Sequence, residues 1–207
     1  MHPMYPMSAD RSRPDAFAKK AKREGYPARS VYKLEEIDRK DRILAPGLRV
    51  LELGAAPGSW SRYVLSRIGP RGRLVAVDLQ PLEIPADSRL LFLRQDLQSL
   101  DLAALRAQHG PFDVVLSDLA PGTTGARFSD HYRSLELARL AAAALQATAR
   151  PGAAFVCKFF DGEGAADFLS ELRPLFGEIR RRRPKAVRAE SVEGYVVGKA
   201  FTSSSGK

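Results

Sequence analysis

The chain has 207 residues, enough for one sizeable α/β domain and little more. Hydrophobic residues make up 44% of it, which suits a folded core, and no apolar run reaches the roughly 18 residues that a membrane-spanning helix needs. The single cysteine, Cys157, excludes an intramolecular disulfide and favours a reducing, cytoplasmic setting, whereas the net charge of +9 points towards polyanionic partners.

The surplus of positive charge lies at the two ends of the sequence. Residues 1–42 carry a net charge of +4 and residues 180–199 a net charge of +5, whereas residues 43–179 carry −1. If the fold brings the two ends to one face, that face can bind a polyphosphate. A basic surface that only keeps the protein in solution explains the same charge.

Residues 1–42 are predicted to form a basic, partly helical N-terminal extension. Residues 1–15 show no periodicity and are expected to be poorly ordered. From Asp15 to Asp41 the pattern is helical, and Leu34 and Ile37 belong to one apolar stripe.

The rest of the chain alternates between predicted strands and helices. Strands are predicted at 49–53, 73–78, 90–93, 112–118, 153–158, 178–183 and 194–200, and helices at 59–68, within 130–149 and at 165–176. This alternation predicts an α/β fold, with a mostly parallel seven-stranded sheet and helices on both faces. The gap between the last two strands is too short for a crossover helix, so we expect an antiparallel pair at the sheet edge. Residues 201–207 are predicted to form a flexible tail.

Polar side chains stand where the predicted strands end. The loop Gly54–Trp60 follows the first strand, Asp78, Asp96 and Asp118 end or follow the next three, and Lys158 ends the fifth. Ligands of an open parallel sheet bind at the carboxyl ends of its strands. We therefore expect a ligand site where these residues converge.

The glycine loop favours a nucleoside without a pyrophosphate. A dinucleotide site uses three glycines in the pattern G-x-G-x-x-G, and this loop has only Gly54 and Gly58, which disfavours a nicotinamide dehydrogenase. Asp78 can accept hydrogen bonds from ribose hydroxyls and Asp96 from an adenine amino group, which together fit S-adenosylmethionine. The alternative is a plain strand–helix turn, with Asp78 as a helix cap and Asp96 as a surface carboxylate.

Lys158 is unusual because it interrupts an apolar segment, between Cys157 and Phe159. A buried lysine is costly unless it is paired. Its ammonium could reach solvent at the strand end. We favour a lysine that is held at the ligand site beside Asp118, because both residues end neighbouring strands.

Five motifs, in this order along the chain, resemble the FtsJ/RrmJ family of ribose 2′-O-methyltransferases. They are Arg29–Leu34, Gly54–Trp60, Ser117–Pro121, Lys158–Gly164 and Ser191–Tyr195. The resemblance covers about Ala16 to Phe201. It implies a Rossmann-like, S-adenosylmethionine-dependent methyltransferase domain over 43–200 that methylates a uridine of the large-subunit ribosomal RNA.

The resemblance also implies roles for individual residues. A catalytic tetrad falls on Lys33, Asp118, Lys158 and Glu193, in which Lys158 either takes the proton of the 2′-hydroxyl or only orients that group. Cofactor contacts are implied for Gly58, Trp60, Asp78, Asp96 and Asp118. A packing role explains Trp60 equally well. Glu52, Gly122 and Val187 depart from the family pattern.

Ribosomal RNA or the large ribosomal subunit is the implied partner. The basic residues within 11–29 and 180–188 are expected to hold the RNA backbone, and Tyr26, Tyr32 and Tyr195 are candidates for stacking on a base or for packing. The histidines and Cys157 lack the spacing of a metal site, so we expect no metal. We also expect a monomer without membrane association. A transfer-RNA 2′-O-methyltransferase and a non-catalytic ribosome-assembly factor are the alternatives, the second disfavoured by the intact tetrad.

Overall fold

The computed structural model describes residues 16–122 and 127–202. The predicted disorder of residues 1–15 and most of the predicted tail, 203–207, therefore lie outside the described residues. Within the described ranges, no helix is both long and apolar enough to cross a membrane.

Helices and strands alternate along most of the chain. The helices are α1 (Ala16–Arg23), α2 (Val31–Asp41), α3 (Ser59–Ile68), α4 (Leu102–His109), α5 (Arg127–Thr148) and α6 (Ala165–Leu172). The strands are β1 (Arg49–Leu53), β2 (Arg73–Asp78), β3 (Leu90–Arg94), β4 (Phe112–Ser117), β5 (Ala149–Phe160), β6 (Phe176–Arg182) and β7 (Glu193–Phe201). Short 3₁₀ turns occupy Leu97–Ser99 and Arg173–Leu175.

The described strands form one sheet in the order β3-β2-β1-β4-β5-β7-β6. Strands β1 to β5 pair in parallel, whereas β7 runs antiparallel to both of its neighbours, β5 and β6. The prediction of a mostly parallel seven-stranded sheet with an antiparallel pair at its edge is confirmed. The chain order reverses between β1 and β4, so the carboxyl ends of these strands flank the switch point where ligands bind.

Both faces of the sheet are buried. On one face, Leu51 of β1 and Phe155 of β5 pack with side chains of α4, α5 and α6. On the other face, Val50 packs with Leu34 of α2 and Val64 of α3. Successive strand residues point to opposite faces, so one strand feeds both cores. Helix α2 therefore shares the core of the sheet, whereas the domain boundary at residue 42 stays a prediction.

The largest differences from the sequence-based prediction concern three elements, and the bounds of β3, β4, β6 and β7 differ by one or two residues. Helix α4 is missed because Leu105 is its one fully buried side chain, and no apolar stripe marks it. Strand β5 begins at Ala149, four residues before the predicted start, and therefore includes Pro151. The register between β5 and β4 shifts next to this proline. Helix α6 ends at Leu172 and continues as a 3₁₀ turn, because Pro174 cannot donate a helical hydrogen bond.

Candidate active site

The fold brings the four predicted tetrad side chains together in two ion pairs. Lys158 Nζ lies 3.2 Å from Asp118 Oδ1, and Lys33 Nζ lies 2.6 Å from Glu193 Oε1. Asp118 follows β4 directly, and the antiparallel course of β7 places Glu193 opposite Phe160, near the end of β5. The two carboxylates therefore reach the same edge of the sheet, where α2 supplies Lys33.

Lys158 is held inside the protein and does not extend into solvent. It is 7% exposed, and its ammonium also donates a hydrogen bond to the backbone carbonyl of Asp118 at 2.6 Å. The predicted pairing with Asp118 is confirmed, and the alternative of a solvent-reaching ammonium is wrong. Burial raises the pKa of the neighbouring Cys157 to about 12, so this side chain stays a thiol.

Tyr195 connects the two ion pairs. Its hydroxyl oxygen lies 2.5 Å from Glu193 Oε1 and 2.9 Å from Asp118 Oδ1. A phenol has one proton and donates to one of these carboxylates at a time. Tyr195 is fully buried, so it cannot stack on a base, and burial followed by the two carboxylates raises its pKa well above the usual value. Its position two residues after Glu193, on the same face of β7, is the sequence signal that could have revealed this role.

A cavity of about 390 Å³ opens beside the tetrad at the carboxyl ends of β1, β2 and β4. Gly54, Asp78, Asp96 and Asp118 are among its lining residues. Three of the predicted cofactor-binding residues therefore meet at one cavity. Asp118 belongs to both the cavity and the tetrad, so a ligand in this cavity lies next to Lys158.

Asp78 and Asp96 support the surrounding loops as well as lining the cavity. The carboxylate of Asp78 accepts hydrogen bonds from the backbone of Ala56 at 2.9 Å and of Gln80 at 2.8 Å. Asp96 accepts one from the backbone of Gln98 at 2.9 Å. A carboxylate offers about four lone-pair positions, so each acid keeps acceptor capacity for a ligand. The sequence left open a helix cap for Asp78, but Asp78 accepts from loop amides, and it is Asp96 that caps the 3₁₀ turn Leu97–Ser99. Both roles are compatible with ligand binding.

Gly54 permits a close approach between two loops of the site. Its φ is +77°, and a Cβ atom at this position would lie 2.8 Å from the backbone nitrogen of Leu119. Any other residue would be strained and would push the loops apart. The glycine loop after β1 therefore packs directly against the residue that follows Asp118.

Gly58 and Trp60 are absent from the described lining of this cavity. Gly58 is the N-cap of α3, with a φ of 107° and no side-chain cap on the helix. Trp60 is buried, its indole N–H donates to the carbonyl of Ser30 at 2.8 Å, and its ring packs against Tyr195. The structure thus gives the Trp60 side chain a packing role and leaves only the backbone at the start of α3 for a cofactor contact.

A second concave surface, which we call the basic groove, leads to the other half of the tetrad. It has a volume of about 350 Å³, and Arg29, Lys33, Arg188 and Glu193 are among its lining residues. Arg29 comes from the N-terminal basic stretch and Arg188 from the C-terminal one. The fold therefore brings residues of both basic ends to one groove.

Three arginines of the C-terminal basic stretch are engaged in ion pairs. Arg180 and Arg182 both pair with Asp41, and Arg181 pairs with Asp161. Their charges are therefore partly neutralised within the protein. Within residues 180–188, Arg188 lines the basic groove and is therefore the better candidate for a phosphate contact.

The tetrad lies between the 390 Å³ cavity and the basic groove. This position is suited to proton transfer or to orienting a hydroxyl group. In the ranges 16–122 and 127–202, no group of three or more His, Cys, Asp and Glu side chains could hold a metal ion. A cavity lined by acidic side chains at the switch point of a seven-stranded sheet, beside a Lys–Asp–Lys–Glu group, is the arrangement of a Rossmann-like methyltransferase.

Comparison with known proteins identifies the family. Residues 26–201 match the model of the FtsJ-like methyltransferase family, and the chain belongs to this family. The family resemblance drawn from the motifs is confirmed, and the nicotinamide dehydrogenase alternative is set aside.

Two ribosomal RNA methyltransferases align with most of the chain. A "Ribosomal RNA large subunit methyltransferase E" of Sorangium cellulosum is 52% identical over 186 residues, covering 90% of this chain and 87% of the relative. A protein of the same name from Oleidesulfovibrio alaskensis is 43% identical over 189 residues, covering 90% and 91%. The solved structure of a putative ribosomal RNA methyltransferase from Plasmodium falciparum has a TM-score of 0.73 at 24% identity, covering 85% of this chain and 98% of that one, and supports the fold.

Proposed function

We propose that this protein transfers a methyl group from S-adenosylmethionine to the 2′-hydroxyl of a uridine ribose in the 23S RNA of the large ribosomal subunit. The observation that carries the proposal is the position of Asp118. It lines the 390 Å³ cavity, which we propose as the nucleoside cavity, and it pairs with the buried Lys158 at 3.2 Å. The names of the relatives support large-subunit ribosomal RNA as the substrate.

The cavity suits the adenosine portion of the cofactor. Asp78 and Asp96 supply acceptors for ribose hydroxyls and an amino group, and Val77 and Leu97 supply apolar contacts for a purine. Amides at the start of α3, after Gly58, are the groups available for a carboxylate. When bound, S-adenosylmethionine supplies an electrophilic methyl group on its sulfonium.

The tetrad supplies orientation and a route for the proton. Lys158 either accepts the proton of the 2′-hydroxyl or orients that hydroxyl while the proton leaves late, and its two contacts with Asp118 fix the position of Nζ in both cases. Lys33 and Glu193 lie on the side of the basic groove, where the ribose would enter. The hydroxyl of Tyr195 contacts both Asp118 and Glu193 and so holds the two halves of the tetrad next to each other.

The basic groove is proposed to hold the RNA backbone next to the target ribose, through Arg29 and Arg188. Residues 43–200 would then be the methyltransferase domain, and residues 1–42 an extension that supplies Lys33. We propose that the protein acts as a monomer in the cytoplasm.

The proposal is tested by transfer of labelled methyl groups to large ribosomal subunits, naked ribosomal RNA and transfer RNA, together with maps of 2′-O-methylation in cells with and without the gene. We expect transfer to a ribosomal uridine and loss of that one methyl group in cells without the gene. Transfer to transfer RNA alone would replace the proposed substrate. Tight RNA binding without transfer to any of the three would identify an assembly factor.

A further inference from the structure

Arg183, directly after β6, bonds differently from the three arginines that precede it. Its Nη2 lies within hydrogen-bonding distance of the carbonyl oxygens of Arg188 at 3.3 Å, Ala189 at 3.3 Å and Ser191 at 2.6 Å, and its Nη1 donates to that of Glu193 at 3.1 Å. Nη2 has two N–H groups, so two of its three acceptors share one of them. In the described part of the chain, its guanidinium forms no ion pair with a carboxylate. One side chain therefore contacts four backbone carbonyls within six residues.

The contacted segment, 188–193, has little regular structure of its own. Its backbone closes one turn, from the nitrogen of Ser191 to the carbonyl of Arg188 at 3.1 Å, and β7 begins only at Glu193. A guanidinium is a rigid, planar group with five N–H donors, so it can hold several carbonyls in one arrangement. Val192 accepts a hydrogen bond from the backbone of Asp161 at 2.7 Å, and Glu193 pairs with Phe160. Arg183 adds to these contacts and holds the part of the segment, 188–191, that they do not reach.

The segment has two tasks at the site. Glu190 and Ser191 line both the basic groove and a separate cavity of about 480 Å³ beside Phe160, so the segment forms the partition between them. Its last residue, Glu193, accepts from Lys33 at 2.6 Å. The conformation of the segment therefore sets the shape of the groove and half of the tetrad.

The positive charge of Arg183 is offset less than the charge of its neighbour Arg182. Backbone carbonyls carry only partial charges, so they offset a guanidinium less than the carboxylate of Asp41 offsets Arg182. A lysine at this position would present a compact ammonium with three donors and could not span the same four carbonyls.

We infer that Arg183 is a positioning residue, which holds segment 188–193 in the conformation that places Glu193 against Lys33 and shapes the basic groove for an RNA backbone. Its part in RNA binding rests on the proposed function. The nucleoside cavity is formed by other elements, at the ends of β1, β2 and β4. Loss of the guanidinium should therefore affect the RNA substrate and leave the cofactor affinity unchanged.

The test compares the variants Arg183→Gln and Arg183→Lys with the matched control Arg71→Gln. Arg71 is exposed in the turn before β2, at the opposite end of the parallel strands, and its replacement removes the same charge. Three quantities are measured for each full-length variant: hydrogen exchange of the amides in 188–193, KM and kcat for ribosomal RNA, and calorimetric affinity for S-adenosylmethionine.

We expect Arg183→Gln to increase the exchange rate of the amides in 188–193 by about tenfold or more. KM for RNA should rise by a similar factor, which is the scale of one hydrogen bond to a charged group. Arg183→Lys should restore part of both losses, and Arg71→Gln should match the wild type. Exchange in the segment at the wild-type rate, or a KM equal to that of Arg71→Gln, would overturn the inference. If Arg183→Gln fails to fold, Arg183→Lys tests the inference in its place. Its exchange rate in 188–193 is then compared with that of the wild type, and its KM with that of Arg71→Gln.

The hydrogen-exchange result separates this inference from the proposed function. A wild-type protein that transfers no methyl group to RNA would overturn the proposed function and, with it, the role of Arg183 in RNA binding. Fast exchange of 188–193 in Arg183→Gln alone would still show that the guanidinium holds the segment.

Discussion

Arg182 and Asp41 join the edge of the sheet to helix α2. Nε and Nη2 of Arg182 donate to the two carboxylate oxygens of Asp41 at 2.8 and 2.6 Å, and Arg180 adds a contact at 3.2 Å. The side chain of Asp41 is 0% exposed. Helix α2 carries Lys33, and the strand next to β6 carries Glu193, so this pairing supports the geometry of the tetrad from a distance.

Asp41→Ala should destabilise the protein by about 3 kcal/mol, because it removes a buried carboxylate that accepts from both Arg182 and Arg180, although Arg180 keeps its ion pair with Glu178. Burial alone would raise the pKa of Asp41, but the hydrogen bonds of Arg182 and Arg180 lower it overall. Its contribution is therefore present at neutral pH and lost on acidification through the lowered pKa. Urea unfolding measures both effects.

The control for Asp41 is Glu171→Ala, which breaks an exposed pair with Arg139. That change should lower the free energy of unfolding by less than about 1 kcal/mol. Equal losses for the two variants would contradict the structural role of Asp41.

Arg188→Gln should weaken RNA binding and reduce the slope of log affinity against log salt by about 1, because Arg188 is exposed in the basic groove. Arg182→Gln should leave this slope nearly unchanged, because Arg182 is bound to Asp41. Affinities measured by filter binding over a series of salt concentrations give the slopes. A larger change for Arg182 than for Arg188 would move the RNA contact to the face of β6.

Lys158→Ala should lower the rate of methyl transfer by about a hundredfold or more, the scale of losing a positioned acid–base group. Lys158→Arg should also be poor, because a guanidinium stays protonated. Removal of the ammonium leaves Asp118 without its ion pair, so stability should fall by about 1–3 kcal/mol. Single-turnover transfer well below the unfolding temperature is the measurement, and a wild-type rate for Lys158→Ala would exclude a catalytic role.

Asp78→Ala should weaken binding of S-adenosylmethionine by about tenfold to a hundredfold, because it removes an acceptor from the cavity. The matched control is Asp101→Ala, since Asp101 accepts a similar hydrogen bond from the backbone of Ala104 outside the cavity. Titration calorimetry compares the two. Equal affinities would remove Asp78 from the cofactor site.

Glu52→Gln should change how stability depends on pH. Burial raises the pKa of Glu52 to about 8 from an ordinary value of 4.5; one oxygen accepts from Ser61 at 2.7 Å, and the other has no partner among the described residues. The folded protein thus holds a proton that the unfolded chain releases, so the contribution of Glu52 to wild-type stability should fall as pH rises between these values, by up to about 1.4 kcal/mol per unit.

The glutamine variant cannot ionise, so it should lose this dependence and be more stable than the wild type at pH 8. Chemical unfolding at a series of pH values measures the slope. The same slope in both proteins would show that Glu52 is ionised in the folded state.

Local patterns were enough to predict most of the sheet and the membership of the candidate site. The bounds of β1 and β2 agree with the prediction to the residue, because a short run of apolar side chains between turn residues is itself the strand signal. Lys33, Asp118, Lys158 and Glu193 were located by motif. The convergence of Asp118 and Lys158 follows from the rule that the carboxyl ends of parallel strands meet at one edge, whereas Lys33 comes from helix α2 and Glu193 from the start of the antiparallel β7. Helix α4 was missed because it buries too little apolar surface to leave such a pattern.

The tertiary structure alone decided which partner each charged or polar group has. Arg182 meets Asp41 across 141 positions of the chain, and Arg183, one residue further on, turns instead to the carbonyls of its own loop. Tyr195 was open to a stacking role in the sequence, yet it lies buried between two carboxylates. Hydrophobic periodicity records which face of an element is buried, but hydrogen bonds and ion pairs depend on the positions of single atoms from distant segments, and only the folded chain brings those atoms within reach of each other.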